Sequence, residues 1–582
     1  MVGFLKGWVI NILFYDFEVF KHDWIICWLD TETKKIYNIV NDKHKFEKFY
    51  EHYKNVIWVG YNSRNYDQWI AKSILCDFNP YDMNEWIIIK DRKGFEFSKL
   101  LNKFTILNYD CSVGFRSLKE LEAFMGHNIH ETSVPFDIDR NLTTKELQST
   151  IEYCNNDVME TFEVFLETKS EFESHIGLVK EFELPISMLG KTKAQLSAEI
   201  LGANKVERND EFNIKLPDNI LLGKYKFIQD YFYDWAKNSK NYKEITLKTN
   251  VCGIPHVFGI GGIHGSKNKY YGTGYYIMAD VASYYPAGMI EYDFLSRNVL
   301  NKNKYKQIRD DRIKMKANKD PRQAPRKIVL NGTFGASKDK YNKLYDPLQA
   351  NNLCIANQLF LLDLLEKLEG KCEIIQSNTD GVLLKLFKKE DKEKIIKICN
   401  AWEKRTRFTL EFDEYSTVIQ KDVNNYIIID NNGGIKRKGT YVKKLNNLDN
   451  DLPIVNKAIV NYFTKHIDVE KTINACNELI QFQKITKVSG KYEYASYSGN
   501  KMYEKVYRVF ASLSPNDTTL YKKHKMKDTL DKTAGTPICC FIENGDITNV
   551  PIPTKLDKEW YINLAKDRIK EFIGLQSYFN VL

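Results

Sequence analysis

Cysteine is sparse in this sequence, and the spacings typical of disulfide scaffolds or zinc sites are missing. Eleven cysteines are spread over 582 residues, their number is odd, and no CxxC pair occurs. Secreted disulfide scaffolds are much denser in cysteine, and zinc sites need paired ligands at short spacing. The ten histidines show no metal-ligand spacing either. The sequence therefore favours a reduced, cytosolic protein.

Long apolar runs are missing as well. No stretch approaches the roughly 20 apolar residues of a membrane-spanning helix. The apolar N-terminal stretch reaches Asp16 and Glu18 without the small-residue cleavage site of a signal peptide, so we interpret it as a strand that leads into a site. Internal repeats and low-complexity linkers are absent, and 35 Tyr with 33 Phe exclude a disordered chain. We expect a monomer that does not associate with membranes.

Positive charge is concentrated in one segment. The formal net charge is +9, yet residues 1–170 hold 20 Lys and Arg against 26 Asp and Glu. Residues 301–345 hold 14 Lys and Arg against 4 Asp and Glu, which exceeds the surplus of the whole chain. Such a segment suggests a phosphate-rich partner, although a solvated, salt-bridged helix would explain the charge equally well.

Strand-like and helical patterns alternate over the first 170 residues, which predicts an α/β domain. The expected strands there are 8–15, 24–29 and 55–60, and the expected helices are 46–54 and 67–75. Further on, the sequence predicts a strand at 274–279, two short helices broken around Asp320-Pro321, a long apolar helix at 348–368, a hairpin with strands 372–376 and 382–386, and a basic hairpin after residue 426.

A first group of acids is predicted to meet in the N-terminal domain. Asp16 and Glu18 lie two residues apart on a strand and therefore project from one face. Asp67 begins a helix, and Asp157 follows Tyr153 by one helical turn. Carboxylates without His or Cys are hard ligands suited to Mg²⁺ or Mn²⁺. Two such ions can activate a water and stabilise the departing oxygen of a phosphodiester.

A second group of residues is spread before, within and after the basic segment 301–345. Asp280 ends a strand, and Asp380 lies at the tip of the predicted hairpin. Lys327 and Asn331 lie one turn apart on a helix and share a face. Two acids that share metal ions, next to a cation for a triphosphate, form the arrangement that phosphoryl transfer needs.

These segments resemble the motifs of two known protein families. The segments around Asp16, Asp67 and Asp157 resemble the three exonuclease motifs of DnaQ-like 3′→5′ proofreading domains. The segments that begin at Asp280, Lys327 and Asn378 resemble motifs A, B and C of family B DNA polymerases, of the bacteriophage type. Together the resemblance covers residues 14–426, about three quarters of the chain.

The resemblance implies a multidomain α/β and α+β fold, in which an RNase H-like exonuclease domain precedes a right-hand polymerase. The expected parts are the exonuclease domain at 1–170, a mainly helical connector at 171–250, the first part of the palm at 251–300, the fingers at 301–340, the second part of the palm at 341–425, and the thumb with the C-terminal region at 426–582. Because the chain begins almost at the first exonuclease motif, we expect no separate template-sensing domain before it.

The resemblance also assigns roles to individual residues. In the exonuclease centre, Asp16, Glu18, Asp67 and Asp157 would hold two metal ions, Tyr153 would orient the attacking water, and Asn62 would contact the primer end. In the polymerase centre, Asp280 and Asp380, with Val281, would hold two Mg²⁺ ions, with Mn²⁺ as a substitute, and Lys327 would contact the incoming triphosphate. The further nucleotide contacts would be Arg312, Asn331, Ser283 and Tyr285, and the DNA contacts would be Gly261, Gly262, Tyr426, Lys436 and Lys438.

Tyr285 matches the aromatic residue that excludes a 2′-hydroxyl. For Gly261 and Gly262, a structural turn is a better explanation than direct ligand contacts. Five positions depart from the family pattern. In motif C, Asn378 replaces the first Asp and Gly381 replaces the Ser, and Asn424 replaces the Lys of the primer-gripping motif that ends at Tyr426. In motif B, Gly332 and Phe334 replace Ser and Tyr, which is a milder change.

The resulting expectation is a DNA polymerase with proofreading that uses primer-template DNA and dNTPs in phage replication, in the cytoplasm of an infected bacterial host. The gaps between the motifs leave no room for the insertions of protein-primed polymerases. Replication accessory proteins such as a helicase or a sliding clamp are unproven partners. For the clamp, residues 576–579 offer a faint resemblance to a clamp-binding peptide. Two alternatives stay open: a DNA-binding 3′→5′ exonuclease with an inactive polymerase half, and a DNA-binding protein without activity.

Overall fold

The chain folds into two compact units. The computed structural model describes the backbone of residues 3–5, 8–129 and 131–581, and the side chains of residues 11–574 apart from residue 130. The first unit comprises residues 1–191, 445–454 and 473–562, and the second comprises 192–444, 455–472 and 563–582. The described residues form five sheets and sixteen α-helices, which confirms a multidomain α/β architecture. None of these helices combines the length and apolarity that a membrane span requires.

A mixed five-stranded sheet organises the N-terminal part of the first unit. Its order is β5-β4-β3-β6-β7, in which β4 pairs antiparallel with β3 and β5, and β6 pairs parallel with β3 and β7. The strands before and in this sheet are β1 (Gly3–Leu5), β2 (Trp8–Ile10), β3 (Ile12–Val19), β4 (Trp24–Asp30), β5 (Lys35–Val40), β6 (Ile57–Gly60) and β7 (Asn108–Asp110). The predicted strand at 8–15 is present in two pieces, and the central strand β3 is buried almost throughout.

Six helices pack around this sheet, and the predicted helix 67–75 is confirmed with the same bounds. They are α1 (Lys43–Tyr53), α2 (Asp67–Leu75), α3 (Pro80–Asn84), α4 (Leu118–Met125), α5 (Thr144–Glu167) and α6 (Lys169–Glu181). The long helix α5 begins at a capping box, in which Thr143 and Glu146 satisfy each other's backbone N–H groups. This cap fixes the start of the helix that carries Tyr153 and Asp157.

One nine-stranded antiparallel sheet organises the second unit, in the order β16-β15-β14-β11-β13-β12-β10-β9-β8. Its strands are β8 (Leu247–Val251), β9 (Ile254–Phe258), β10 (His264–Ser266), β11 (Tyr270–Val281), β12 (Glu373–Asn378), β13 (Gly381–Lys385), β14 (Leu410–Asp422), β15 (Asn425–Asp430) and β16 (Ile435–Lys438). The strand before Asp280, the hairpin β12-β13 and the basic hairpin β15-β16 are therefore confirmed.

The helices of the second unit include the two predicted in the basic segment, α10 and α11, with the break at residues 318–322. The helices before residue 445 are α7 (Lys193–Ile200), α8 (Lys226–Asp234), α9 (Tyr284–Glu291), α10 (Lys302–Ala317), α11 (Gln323–Lys338), α12 (Pro347–Leu368) and α13 (Lys392–Thr406). The helix α12 matches the predicted long apolar helix and is buried along most of its length.

The segment predicted as a mainly helical connector is helical only in part. Residues 204–223 form neither helix nor strand and instead run as a strap along α12. Polar side chains of α12 accept hydrogen bonds from the backbone of the strap: Asn352 from the N–H of Lys215 at 2.8 Å, and Asp363 from the N–H of Leu221 at 2.9 Å. The strap satisfies its backbone through these side chains, so it needs no helix of its own.

The C-terminal region is divided between the two units, since residues 473–562 belong to the first. Its elements are α14 (Pro453–Lys465), α15 (Val469–Asn474), β17 (Lys484–Lys487), β18 (Tyr492–Tyr497), β19 (Asn500–Met502), β20 (Val506–Ala511), β21 (Tyr521–His524), β22 (Leu530–Lys532), β23 (Cys540–Ile542) and α16 (Lys558–Val581). The strands form a three-stranded sheet, β17-β20-β23, and a four-stranded sheet, β19-β18-β21-β22. The side chains of the suggested clamp-binding peptide, residues 576–579, lie outside the described residues.

A buried arginine ties this C-terminal part to the N-terminal part within the first unit. The Arg508 guanidinium donates to the carbonyl oxygens of Ala123 at 3.1 Å and His127 at 2.7 Å. It also donates to the carbonyl oxygens of Glu543 and Gly545. Charge-assisted bonds to several carbonyls hold two chain segments more firmly than single neutral bonds would.

Candidate active sites

In the first unit, the four acids predicted for the exonuclease centre come together. The central strand β3 supplies Asp16 and Glu18, the start of α2 supplies Asp67, and the middle of α5 supplies Asp157. Asp67 accepts a hydrogen bond from the backbone N–H of Phe17 at 3.2 Å, which fixes it beside β3. Glu18, Asp67 and Asp157 are each less than a tenth exposed.

Burial and mutual repulsion disfavour the charged form of these acids. Burial is the main reason that the pKa values of Asp16 and Glu18 are well above normal, and the neighbouring carboxylates raise them further. Burial likewise raises the pKa of Asp67 to about 7. A divalent cation would remove this repulsion, and a set of oxygen ligands suits Mg²⁺ or Mn²⁺. The cluster therefore fits the metal that the sequence implies.

Lys119 is the cation of this cluster. Its ammonium group contacts the Asp157 carboxylate, lies 2.8 Å from Glu122 and sits 4.6 Å from the centroid of the Tyr153 ring. Burial alone would lower the pKa of Lys119, but the attraction of the Asp157 and Glu122 carboxylates raises it above its usual value, so the ammonium group stays charged. In the sequence its signal was weak, namely a Ser-Leu-Lys segment after Asp110.

Cys154 is a further neighbour that the sequence did not predict. Its thiol lies 3.6 Å from the Asp16 carbonyl oxygen and 3.7 Å from Asp16 Oδ2, and Asp16, Glu18 and Cys154 offer donor atoms within 4.8 Å of one another. Burial raises the pKa of Cys154 well above normal, so the thiol stays protonated and donates hydrogen bonds. The donors here that suit a hard divalent cation are therefore the carboxylate oxygens.

Asn62, predicted to contact the primer end, is exposed in the turn before α2. Its backbone has a φ of 56°, in the left-handed region that asparagine tolerates. Its side-chain oxygen accepts a hydrogen bond from Asn65 at 2.8 Å. The DNA contact of Asn62 stays a prediction.

The raised pKa values predict how pH changes the stability of the metal-free protein. The pKa of Asp67 is about 7 in the fold and near 3.8 in the unfolded chain. The contribution of this group to the free energy of unfolding is therefore fully present below about pH 4 and is lost as the pH rises through 7. In EDTA, we expect Asp67→Asn to raise the melting temperature at pH 8 by several degrees and to have little effect at pH 4. The amide keeps the acceptor for Phe17, so the packing is unchanged.

Calorimetry at the two pH values measures this difference, with the exposed Glu32→Gln as the matched control. A melting temperature of Asp67→Asn equal to that of the wild type at pH 8 would contradict the repulsion argument. Added Mg²⁺ is expected to stabilise the wild type at pH 8.

In the second unit, Asp280 and Asp380 meet where β11 ends beside the tip of hairpin β12-β13. Asp280 lies opposite Gly381 on one side and opposite Glu411 on the other. The backbone N–H of Val281 donates to the Asp380 carbonyl oxygen at 2.7 Å, which joins the strand end to the tip. The two acids and Val281, predicted as one metal site, are therefore neighbours.

The electrostatic surroundings of this pair are mixed. Burial raises the pKa of Asp280 to about 6; Lys436 opposes the shift, while Asp380, Asp413 and Glu411 add to it. Asp380 lies at the exposed tip of the hairpin. Desolvation by neighbouring atoms nevertheless raises its pKa, although the positive charges of Lys436 and Lys438 act to lower it. The two lysines predicted as DNA contacts thus lie near the acids, and the oxygen ligands fit a divalent cation. Glu411 and Asp413 were missed, because their strand partner cannot be read from local sequence.

Gly381, one of the departures from the family pattern, is required by close packing. A Cβ at this position would overlap Asp280 Oδ1 and come within 3.4 Å of the Ala279 carbonyl oxygen. The missing side chain therefore leaves the space that the Asp280 carboxylate occupies.

Replacing Gly381 with alanine should push the Asp280 carboxylate out of place and leave the fold intact, because a carboxylate can rotate. A displacement of about 1 Å at a reacting centre costs about 10²-fold in rate, which is the loss we expect for primer extension. Steady-state extension measures it, and Gly490→Ala, where a Cβ meets nothing within 4 Å, is the control. Wild-type extension by Gly381→Ala would contradict the assignment of Asp280.

Two residues predicted as nucleotide contacts are in contact with each other. The Arg312 guanidinium donates to Ser283 Oγ at 3.2 Å, linking α10 to the turn after Asp280. Arg312 Nε is buried and finds no hydrogen-bond partner in the part of the chain that the structure describes. Burial lowers the pKa of Arg312, but a guanidinium stays charged at neutral pH. A buried, incompletely paired guanidinium suits an anion such as a phosphate.

Tyr285 packs between helix α11 and the glycine-rich turn before β10. Its ring centroid lies 4.3 Å from that of Phe334 on α11, and its hydroxyl donates to the Gly261 carbonyl oxygen at 2.9 Å. A Cβ on Gly262 would come within 3.1 Å of Thr379 Oγ1 at the hairpin tip. The two glycines thus position Tyr285 and the tip, which supports the structural interpretation; their DNA contacts stay a prediction.

Other predicted residues are not joined to the two acids. Lys327 and Asn331 are exposed on α11, and among the described residues Lys327 makes no ion pair with either acid. The amide of Asn378 donates to the Val423 carbonyl oxygen at 3.3 Å, a bond that a carboxylate could not make. Tyr426 is 7% exposed, and the acids Asp280 and Asp380 help burial to raise its pKa.

Comparisons with known proteins add little. No protein-family model matches the chain, and no curated protein matches it. Among solved structures, the chain is similar to the family B DNA polymerase from the hyperthermophilic archaeon Pyrobaculum calidifontis, with 13% sequence identity and a TM-score of 0.41. The alignment covers 97% of this chain and 78% of that chain.

Proposed function

We propose that this protein is a DNA-templated DNA polymerase with a 3′→5′ proofreading exonuclease, one centre in each unit. The observation that carries the proposal is that two sets of acids, ordered along the sequence as in the resembling families, each converge in the fold. The second set also lies near Lys436 and Lys438, whose exposed ammonium groups suit phosphate. The phage-type motifs support a role in phage DNA replication in a bacterial host.

In the exonuclease centre, Asp16, Glu18, Asp67 and Asp157 would hold two Mg²⁺ ions, or Mn²⁺ in their place. Such ions supply an activated water and stabilise the departing oxygen of a phosphodiester. Tyr153 would orient the water, and Lys119 holds Asp157 in position by direct contact. Asn62 would hold the single-stranded primer end. The mixed sheet flanked by helices supports the RNase H-like assignment of this domain.

In the polymerase centre, Asp280 and Asp380, with the backbone of Val281, would hold the two ions that act on the primer 3′ oxygen and the incoming nucleotide. Arg312, held by Ser283, would bind a phosphate of the dNTP, and exposed Lys327 would reach the triphosphate. Tyr285, braced by Phe334, would stack under the sugar and exclude a 2′-hydroxyl. Asn331 would line the nascent base pair.

The primer-template would lie over the basic hairpin β15-β16. Lys436 and Lys438 are exposed there. Both lie near Asp380, and Lys436 also lies near Asp280, which supports contacts with primer phosphates close to the reacting end. Tyr426 pairs with Lys438 across the hairpin and positions it. Gly261 and Gly262 would approach the template through their backbone.

A primer with a mismatched 3′ end tests both activities in one reaction. The wild type should remove the mismatch and then extend, whereas Asp16→Ala should stall on it and still extend a matched primer. If the primer is only shortened, with or without dNTPs, the protein is the alternative: an exonuclease whose polymerase half holds DNA. Asn378 and Asn424 motivate that alternative.

A further inference from the structure

The four-stranded sheet β19-β18-β21-β22 has two chemically different faces. Residues directly opposite each other on neighbouring strands project from the same face. Ala495 lies opposite Met502 and Lys522, whereas Ser496 lies opposite Lys501 and Tyr521. The register thus separates an inner face with Ala495 and Met502, which packs into an apolar cluster, from an outer face with Lys501 and Tyr521.

The outer face is exposed and carries aromatic rings. Tyr521 is 38% exposed, and Tyr503, directly after β19, is 62% exposed. The ring centroid of Tyr494 lies 6.1 Å from that of Tyr503, and the Lys501 ammonium sits 4.7 Å from the Tyr494 centroid. Three tyrosines therefore lie on one solvent-facing surface.

Lysines lie on the same face of the sheet as these rings. Lys501, Lys523 and Lys532 are on the outer face, since Lys501 lies opposite Ser496, Lys532 lies opposite Tyr521, and Lys523 follows Tyr521 by two residues. Residues 484–532 hold 11 Lys and Arg against 5 Asp and Glu, in contrast to the acidic surplus of residues 1–170 in the same unit. The face is complementary to a polyanion that can also stack on exposed rings.

We propose that this outer face binds single-stranded nucleic acid. Unpaired bases would stack on Tyr494, Tyr503 and Tyr521, while the phosphates between them contact Lys501 and Lys532; Lys523 is already paired with Asp528. A duplex would use the charge alone, since its bases are already stacked on one another and closed to the rings. The acids of both proposed catalytic centres lie on other strands and helices, so this surface is an additional site and does not depend on the proposed activities.

The test measures binding of a fluorescently labelled oligothymidylate to the full-length protein by anisotropy, in EDTA so that no strand is cut. Tyr503→Ala/Tyr521→Ala should weaken binding about tenfold or more, because two bases lose the rings on which they would stack. Tyr503→Phe/Tyr521→Phe keeps the rings and should bind within about twofold of the wild type. Lys501→Ala/Lys532→Ala should reduce the slope of log affinity against log salt by about 1.4.

Lys35→Ala/Tyr37→Ala is the matched control, since both side chains are exposed on β5 of the same unit. Binding of a duplex should be the same for the tyrosine-to-alanine variant and the wild type. Unchanged single-strand affinity in that variant, or an equal loss in the phenylalanine variant, would overturn the proposal. So would an equal loss of duplex affinity, which would indicate a surface for duplex DNA. Primer extension and degradation are measured separately, so failure here leaves the proposed function untouched.

Discussion

Asp380→Ala is expected to abolish primer extension, with a loss of at least about 10³-fold, and to leave 3′→5′ shortening unchanged. Under the proposed function, Asp280 and Asp380 share the catalytic ions, so removing one of them would forfeit several kcal/mol of transition-state stabilisation, and each 1.36 kcal/mol is tenfold in rate. The contacts that shape the hairpin tip are made by the backbone: the Asp380 N–H donates to Asn378 and its carbonyl accepts from Val281. Alanine keeps these bonds, so the fold should survive.

Single-turnover extension of a labelled primer measures the loss. Glu390→Ala, which removes an exposed acid soon after the same hairpin, should extend at the wild-type rate. Extension by Asp380→Ala within about tenfold of the wild-type rate would exclude Asp380 from the centre, because the loss of a catalytic metal ligand reduces the rate by more than this.

Asp16→Ala is expected to have the opposite pattern, with shortening reduced at least about 10³-fold and extension retained. Asp16 lies on the central strand near Glu18, Asp67 and Asp157, and under the proposed function these four carboxylates would hold two ions. Because burial and repulsion raise the pKa of Asp16, its removal should not destabilise the metal-free protein. The loss of activity would therefore reflect chemistry and not unfolding.

Degradation of a labelled single strand measures this prediction, with Glu32→Ala as the control for loss of an exposed acid in the same unit. Degradation by Asp16→Ala at the wild-type rate would show that the strand is cut elsewhere. Loss of both activities in this variant would show that the two centres are not independent.

Local sequence predicts the elements that carry the acids. The helix at Asp67, the hairpin tip at Asp380 and the helical turn from Tyr153 to Asp157 follow from periodicity and turn residues. Contacts across the fold do not follow, because they depend on which strands become neighbours. Glu411 opposite Asp280 is one example, and Lys119 against Asp157 is another.

Two departures from the family pattern have local physical explanations that sequence comparison could not supply. Gly381 makes room for the Asp280 carboxylate, and the amide of Asn378 pairs with the Val423 carbonyl oxygen. The strap at 204–223 shows a third limit of sequence reasoning. Its backbone is satisfied by side chains of α12, a solution that no propensity scale anticipates.

The central claim is that one chain holds a synthetic and a degradative centre in separate units. Incubation of the wild type with a recessed, labelled primer on a DNA template and Mg²⁺, with and without dNTPs, tests it most directly. The account predicts lengthening of the primer with dNTPs and shortening without them. Shortening in both reactions would contradict it and identify a nuclease whose second unit holds DNA without extending it.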